Sequence, residues 1–99
     1  MTKNEIFTEI AQKVTEVTGV PHNDLIQSQR EASTDARHLL VRALYKVGLT
    51  DSDTASLIGK TRQAVAHMRH HYARGDKWLL ENHWQIISKW LANNYFQSK

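Results

Sequence analysis

Apolar residues near the start of the chain recur every three or four positions: Ile6, Ile10, Val14 and Val17, joined by Phe7 and Ala11. That spacing lines one face of a helix and predicts one over residues 4–18. Thr2 or Asn4 offers a capping side chain, and Gly19 a stop. Val20-Pro21 breaks the helix, because the residue before a proline is pushed out of helical geometry. Asn23 can then cap a short turn through Leu25 and Ile26, and the polar run Gln27-Ser28-Gln29-Arg30 reads as a loop.

A second helix is expected from a Ser33 or Thr34 cap to about Val47, burying Ala36, Leu39, Leu40, Ala43, Leu44 and Val47. Gly48 ends it. A short third helix runs from about Ser52 to Ile58, started by Thr50 or Asp51 and closed by Gly59. Thr61 can cap a fourth, reaching about Ala73, with Val65, Met68 and Tyr72 facing inward. Gly75-Asp76 separates off a last helix to about Phe96, whose core side would hold Leu79, Leu80, Ile86, Ile87, Trp90 and Leu91. No stretch alternates as a strand would. The pattern predicts an all-α fold, a five-helix bundle with one short turn, forming a single domain over residues 1–99.

The most informative stretch is Asp51 to Tyr72, DSDTASLIGKTRQAVAHMRHHY. A helix-turn-helix needs a small residue where its two helices cross, a residue tolerant of positive φ in the turn, and an aliphatic anchor on the second helix. Ala55, Gly59 and Val65 supply these at spacings of four and six, which predicts a helix-turn-helix over about residues 51–74. The second helix, about 61–73, would enter a major groove. Its outward residues Lys60, Thr61, Arg62, Gln63, Ala66 and His67 suit that task. Arginine pairs with guanine, glutamine with adenine, and lysine or threonine with phosphate.

Charge sharpens this reading. The net charge is +3, but residues 30–77 carry nine Lys or Arg against five acids, so the positive field sits mid-chain. No acid falls between Asp53 and Asp76, and Arg69 and Arg74 add to that stretch. The field favours a polyanion.

The order of motifs along the chain resembles the C-terminal DNA-binding domain of the bacterial replication initiator DnaA, a Trp-repressor-like helical class. Four features carry the likeness and span nearly the whole chain. An amphipathic first helix is followed by Val20-Pro21 and Asp24-Leu25, and a polar loop ends in Arg30. Then come the run Ala36-Arg37-His38-Leu39-Leu40-Val41-Arg42-Ala43-Leu44 and the segment from Ile58-Gly59 to Ala64-Val65-Ala66-His67.

The resemblance implies sequence-preferring binding of double-stranded DNA by a stand-alone domain, in replication or transcription control or in a mobile element. It sets Arg30 within about one residue of the family's minor-groove arginine, and Arg37 at a phosphate-contacting position. Val65 and His67 match the family's valine and histidine. The family's Gly-Arg-Asp-His-Ser/Thr-Thr signature is replaced by Gly59-Lys60-Thr61-Arg62-Gln63-Ala64. The base preference implied is therefore not the initiator's own. The DNA-contacting residues expected are Arg30, Arg37, Lys60, Thr61, Arg62, Gln63, Ala66, His67 and Arg69.

Composition narrows the alternatives. With no cysteine there is no disulfide scaffold or thiol chemistry, and a reducing cytoplasm, near the nucleoid, is the expected setting. No apolar run approaches the roughly 20 residues that span a bilayer, and no signal peptide is expected at the N-terminus. His67, His70 and His71 share a helix, but no third ligand type stands close by, so neither metal nor other cofactor is expected. Their protonation in mild acid would add positive charge and favour DNA. No glycine-rich phosphate loop or Ser-His-acid motif appears, and Glu5, Glu9 and Glu16 read as a solvated edge, so the chain is not expected to be an enzyme.

Trp78, Trp84, Trp90, Tyr95 and Phe96 make the last helix aromatic. Tryptophans six apart cannot all face one way, so one ring is expected at the surface as a protein-partner or self-association contact. The competing function is a protein–protein adaptor that keeps the fold without binding DNA.

Overall fold

The computed structural model describes residues 1–70 and 77–96, and they form six helices. The first, α1 (Lys3–Thr18), opens with a reciprocal cap. The Glu5 amide donates to Thr2 Oγ1 at 3.1 Å and the Thr2 amide to Glu5 Oε1 at 3.0 Å. Beyond Pro21, the expected turn is a six-residue helix, α2 (His22–Gln27), which buries Leu25. The long α3 (Glu31–Lys46) follows.

The N-terminus of α3 differs from expectation. Arg30 sits at the cap position with extended backbone, its amide donating to Ser28 Oγ at 3.2 Å. Ser33 is buried inside the first turn rather than capping it. Every residue from Ala36 to Leu44 except Arg42 is buried. The reason is topological: α3 packs against all five other helices and forms the centre of the domain.

Two short helices come next. α4 (Asp51–Ile58) starts in a second capping box, in which the Asp53 amide donates to Thr50 Oγ1 and the Thr50 amide to Asp53 Oδ2, both at 3.1 Å. It ends at Gly59, whose φ of 69° lies in the left-handed region that side chains resist. The Gly59 and Lys60 amides both reach the Ala55 carbonyl, which closes the helix and turns the chain sharply. α5 (Arg62–His70) then begins, with the Ala64 amide donating to Thr61 Oγ1 at 3.1 Å, so Thr61 caps it as expected. The inward position expected at Tyr72, the helix end near Ala73 and the Gly75-Asp76 break lie outside the described residues.

The last helix, α6 (Lys77–Tyr95), lies against α3 and α1 and buries Leu80, Ile87 and Leu91. Trp84, Trp90 and Tyr95 are half-buried against the same core. Leu79 and Ile86, expected in the core, instead stand 45% and 50% exposed, and Leu79 edges an open cavity beside Ala36 and Leu39 of α3. Trp78 is 72% exposed. No helix among the described residues is long and apolar enough to cross a membrane.

Candidate nucleic-acid interface

The α4–α5 pair is thinly cored. Only Thr54, Ala55, Ile58 and Val65 are buried within it, and Val65 is the one fully enclosed side chain of α5. Burial of Val65 contributes about 2 kcal/mol, too little alone to fix the angle of a nine-residue helix. A polar clamp adds the rest. Arg69 on α5 donates from Nε and one terminal nitrogen to the two Asp51 carboxylate oxygens, each at 2.8 Å. Its guanidinium lies 3.9 Å from the centre of the Tyr45 ring on α3. Three helices therefore meet at one side chain.

The clamp sets the local electrostatics. The Arg69 hydrogen bonds hold the Asp51 carboxyl below its usual range, and the charges of His70 and Arg62 push the same way. The Asp53 carboxyl is also lowered, first by its bond from Lys3 Nζ at 3.0 Å and then by the Thr50 amide. Both acids of α4 are thus paired with cations.

The outward side of α5 is different in kind. Val65 and Met68 turn inward, while Arg62, Gln63, His67 and His70 are exposed and Ala66 is half-exposed between them. Thr61 is exposed and Lys60 half-exposed in the turn. Successive offsets of three and four residues put Gln63, Ala66, His67 and His70 on one stripe, with Arg62 at its edge. So six expected site residues, Lys60 to Gln63 with Ala66 and His67, form one surface around the start of α5.

The other three do not join it. Arg37, expected on phosphate, is 4% exposed. Its Nε donates to the Leu25 carbonyl at 2.7 Å, and one terminal nitrogen donates to the Ser28 and Asp24 carbonyls at 2.7 and 3.3 Å. The Asp24 carbonyl already accepts from the Ser28 amide at 3.0 Å, while the Leu25 and Ser28 carbonyls lie at the end of α2, where helical donors run out, and the buried guanidinium serves them. Arg69, also expected on DNA, is held in the clamp with only 17% of its side chain exposed. Arg30 is exposed, but it starts α3 while Tyr45 lies fifteen residues on, about 22 Å along the helix.

Arg42, counted in the basic field, also serves the interior. It lies 4.1 Å from the Trp84 ring centre and 3.9 Å from Glu81, tying α3 to α6. Periodicity gave no sign of the Tyr45–Arg69–Asp51 cluster, since its members are six and eighteen residues apart on three helices. No three metal-ligating side chains come together among the described residues. His71 and Arg74 lie outside them. Compared with family models, curated proteins and solved structures, the chain matches none.

Proposed function

We propose that this chain binds double-stranded DNA through a helix-turn-helix made of α4, the Gly59 turn and α5, with the first half of α5 in the major groove. One observation carries the reading. The outward surface at the start of α5 holds Lys60, Thr61, Arg62, Gln63 and His67 with no acid among them, while the two acids of α4, Asp51 and Asp53, are paired with Arg69 and Lys3. Such a surface offers phosphate partners and base-edge donors together, which a merely solvated helix does not need. The likeness of motif order to the DnaA C-terminal domain supports the same reading, with Arg30 as a second contact beyond α5. Arg37 and Arg69 act by holding the unit in shape rather than by touching DNA.

Amide chemical-shift mapping with a mixed-sequence duplex at low salt tests the proposal. Shifts centred on Lys60 to His67 are expected, and shifts that avoid α5 altogether contradict it. A protein-adaptor reading is favoured by a separate observation, the exposure of Trp78, Leu79 and Ile86 along α6. It requires shifts on α6 upon adding a protein partner and none upon adding duplex.

A further inference from the structure

The outward stripe of α5 carries more than charge. Arg62 and Gln63 are adjacent, both exposed, and both on the first turn. Neither forms an ion pair or side-chain hydrogen bond among the described residues, in contrast to the arginines at positions 37, 42 and 69. Two contacts hold their carrier in place: Thr61 caps the first turn and the Arg69–Asp51 pair ties the helix to α4. Ala66 lies one turn on, beside both side chains, and a residue this small allows the helix backbone to approach a groove floor closely. A bulky side chain there would hold the helix off the base edges. Two multidentate side chains flanking a small one form a reading head rather than a general polyanion surface.

The chemistry of the pair then specifies what is read. A guanidinium fork matches the O6 and N7 acceptors of guanine, and a carboxamide matches the N7 acceptor and N6 donor of adenine. A methyl-bearing alanine suits the C5-methyl of thymine. We infer that Arg62 and Gln63 select a duplex site holding a guanine and an adenine within one or two base pairs of each other, Arg62 reading the guanine and Gln63 the adenine. This rests on the DNA-binding reading above and goes beyond it by naming the bases and the residue that reads each. Lys60 and Thr61, in the turn, hold phosphate and set register without choosing sequence.

The experiment is selection of bound duplexes from a random pool by the full chain, by Arg62→Lys and by Gln63→Ala, alongside affinity for unselected duplex. Lysine keeps the charge but loses the planar fork. The expected pool is enriched in paired guanine and adenine. Arg62→Lys should lose the guanine preference roughly tenfold or more. Gln63→Ala should lose the adenine preference alone, and 7-deazaguanine at the selected position should reproduce the Arg62→Lys loss on the parent protein. A pool without base preference, or one whose preference survives both substitutions, overturns the inference while leaving duplex binding standing. Failure of all three proteins to bind any duplex at low salt overturns the inference and the DNA reading together.

Discussion

Arg69 and Asp51 stand eighteen residues apart in sequence and meet through two parallel hydrogen bonds, each 2.8 Å, across the α4–α5 pair. The Tyr45 ring lies 3.9 Å from the same guanidinium. A basic residue that looks like part of a DNA-facing surface therefore works as a hinge pin between three helices. Bidentate pairing is directional as well as attractive, so it fixes the angle at which α5 is presented. Arg69→Ala should destabilise the fold by about 1–2 kcal/mol, more than a fully exposed pair and less than a deeply buried one. Arg69→Lys should recover less than half of that, since an ammonium cannot reproduce the fork. Urea midpoints measure both, and an unchanged midpoint in Arg69→Ala would show the clamp to be idle.

Acid tests the same cluster from the carboxylate side. Asp51 is held below its ordinary 3.8 by Arg69, Asp53 below 3.8 by Lys3 and Thr50, and Glu5 below 4.5 by the Thr2 amide and hydroxyl. Each folded-state value lies under its unfolded one. The stability these groups contribute is therefore complete above the unfolded values and drains away as pH falls through the folded ones. Melting temperature should fall steeply below about pH 4, as these carboxylates protonate. Asp51→Asn should melt lower than the parent at pH 7 and converge with it as pH falls through the lowered Asp51 value. A constant gap across that range would place the effect elsewhere.

Arg37 makes a sharper stability prediction. Its guanidinium serves three carbonyls at the end of α2, all within 3.3 Å. Removing a charged donor from the buried Leu25 carbonyl costs more than the bond was worth, because that acceptor remains without a partner. Arg37→Ala should cost about 2–3 kcal/mol, with hydrogen exchange accelerated first in α2. The same variant should bind duplex as the parent does once stability is restored by low temperature. A lost phosphate contact without lost stability would contradict the structural role.

Gly59 separates backbone strain from packing. Its φ is 69°, and a Cβ added there would meet nothing within 4 Å. The whole cost of Gly59→Ala is then the left-handed backbone, about 1–2 kcal/mol, and Gly59→Asn should cost less because asparagine tolerates that region. Equal losses in the two variants, read from denaturation midpoints, would point to a clash that the geometry does not contain.

Helices and their punctuation were legible in the sequence because they rest on local physics. Gly19, Gly48 and Gly59 end the helices where expected, and Thr2, Thr50 and Thr61 are caps that their positions proposed. The core of α1 and one face of α3 followed from periodicity, but the burial of Arg37, His38 and Val41 on the other sides of α3 did not. What periodicity missed is nonlocal. Leu79 and Ile86 fit a helical stripe, yet α6 docks through Leu80, Ile87 and Leu91, and only the placement of α3 decides between the faces. Likewise a count of basic residues gives the sign of the field but not which arginines are bound inward. Arg37, Arg42 and Arg69 look like Arg62 in one dimension, and they differ only through Leu25, Trp84 and Asp51, partners supplied by other helices.

The most direct measurement is a titration of a labelled mixed-sequence duplex with the full chain at two salt concentrations, beside Arg62→Ala and Arg69→Ala. Micromolar affinity that weakens steeply with salt is expected. Arg62→Ala should lower both the affinity and the salt slope, the slope by about one, while folded Arg69→Ala should keep the parent's slope. Absence of binding at low salt, or identical slopes for the parent and Arg62→Ala, would contradict the assignment of α5 as the DNA-facing helix.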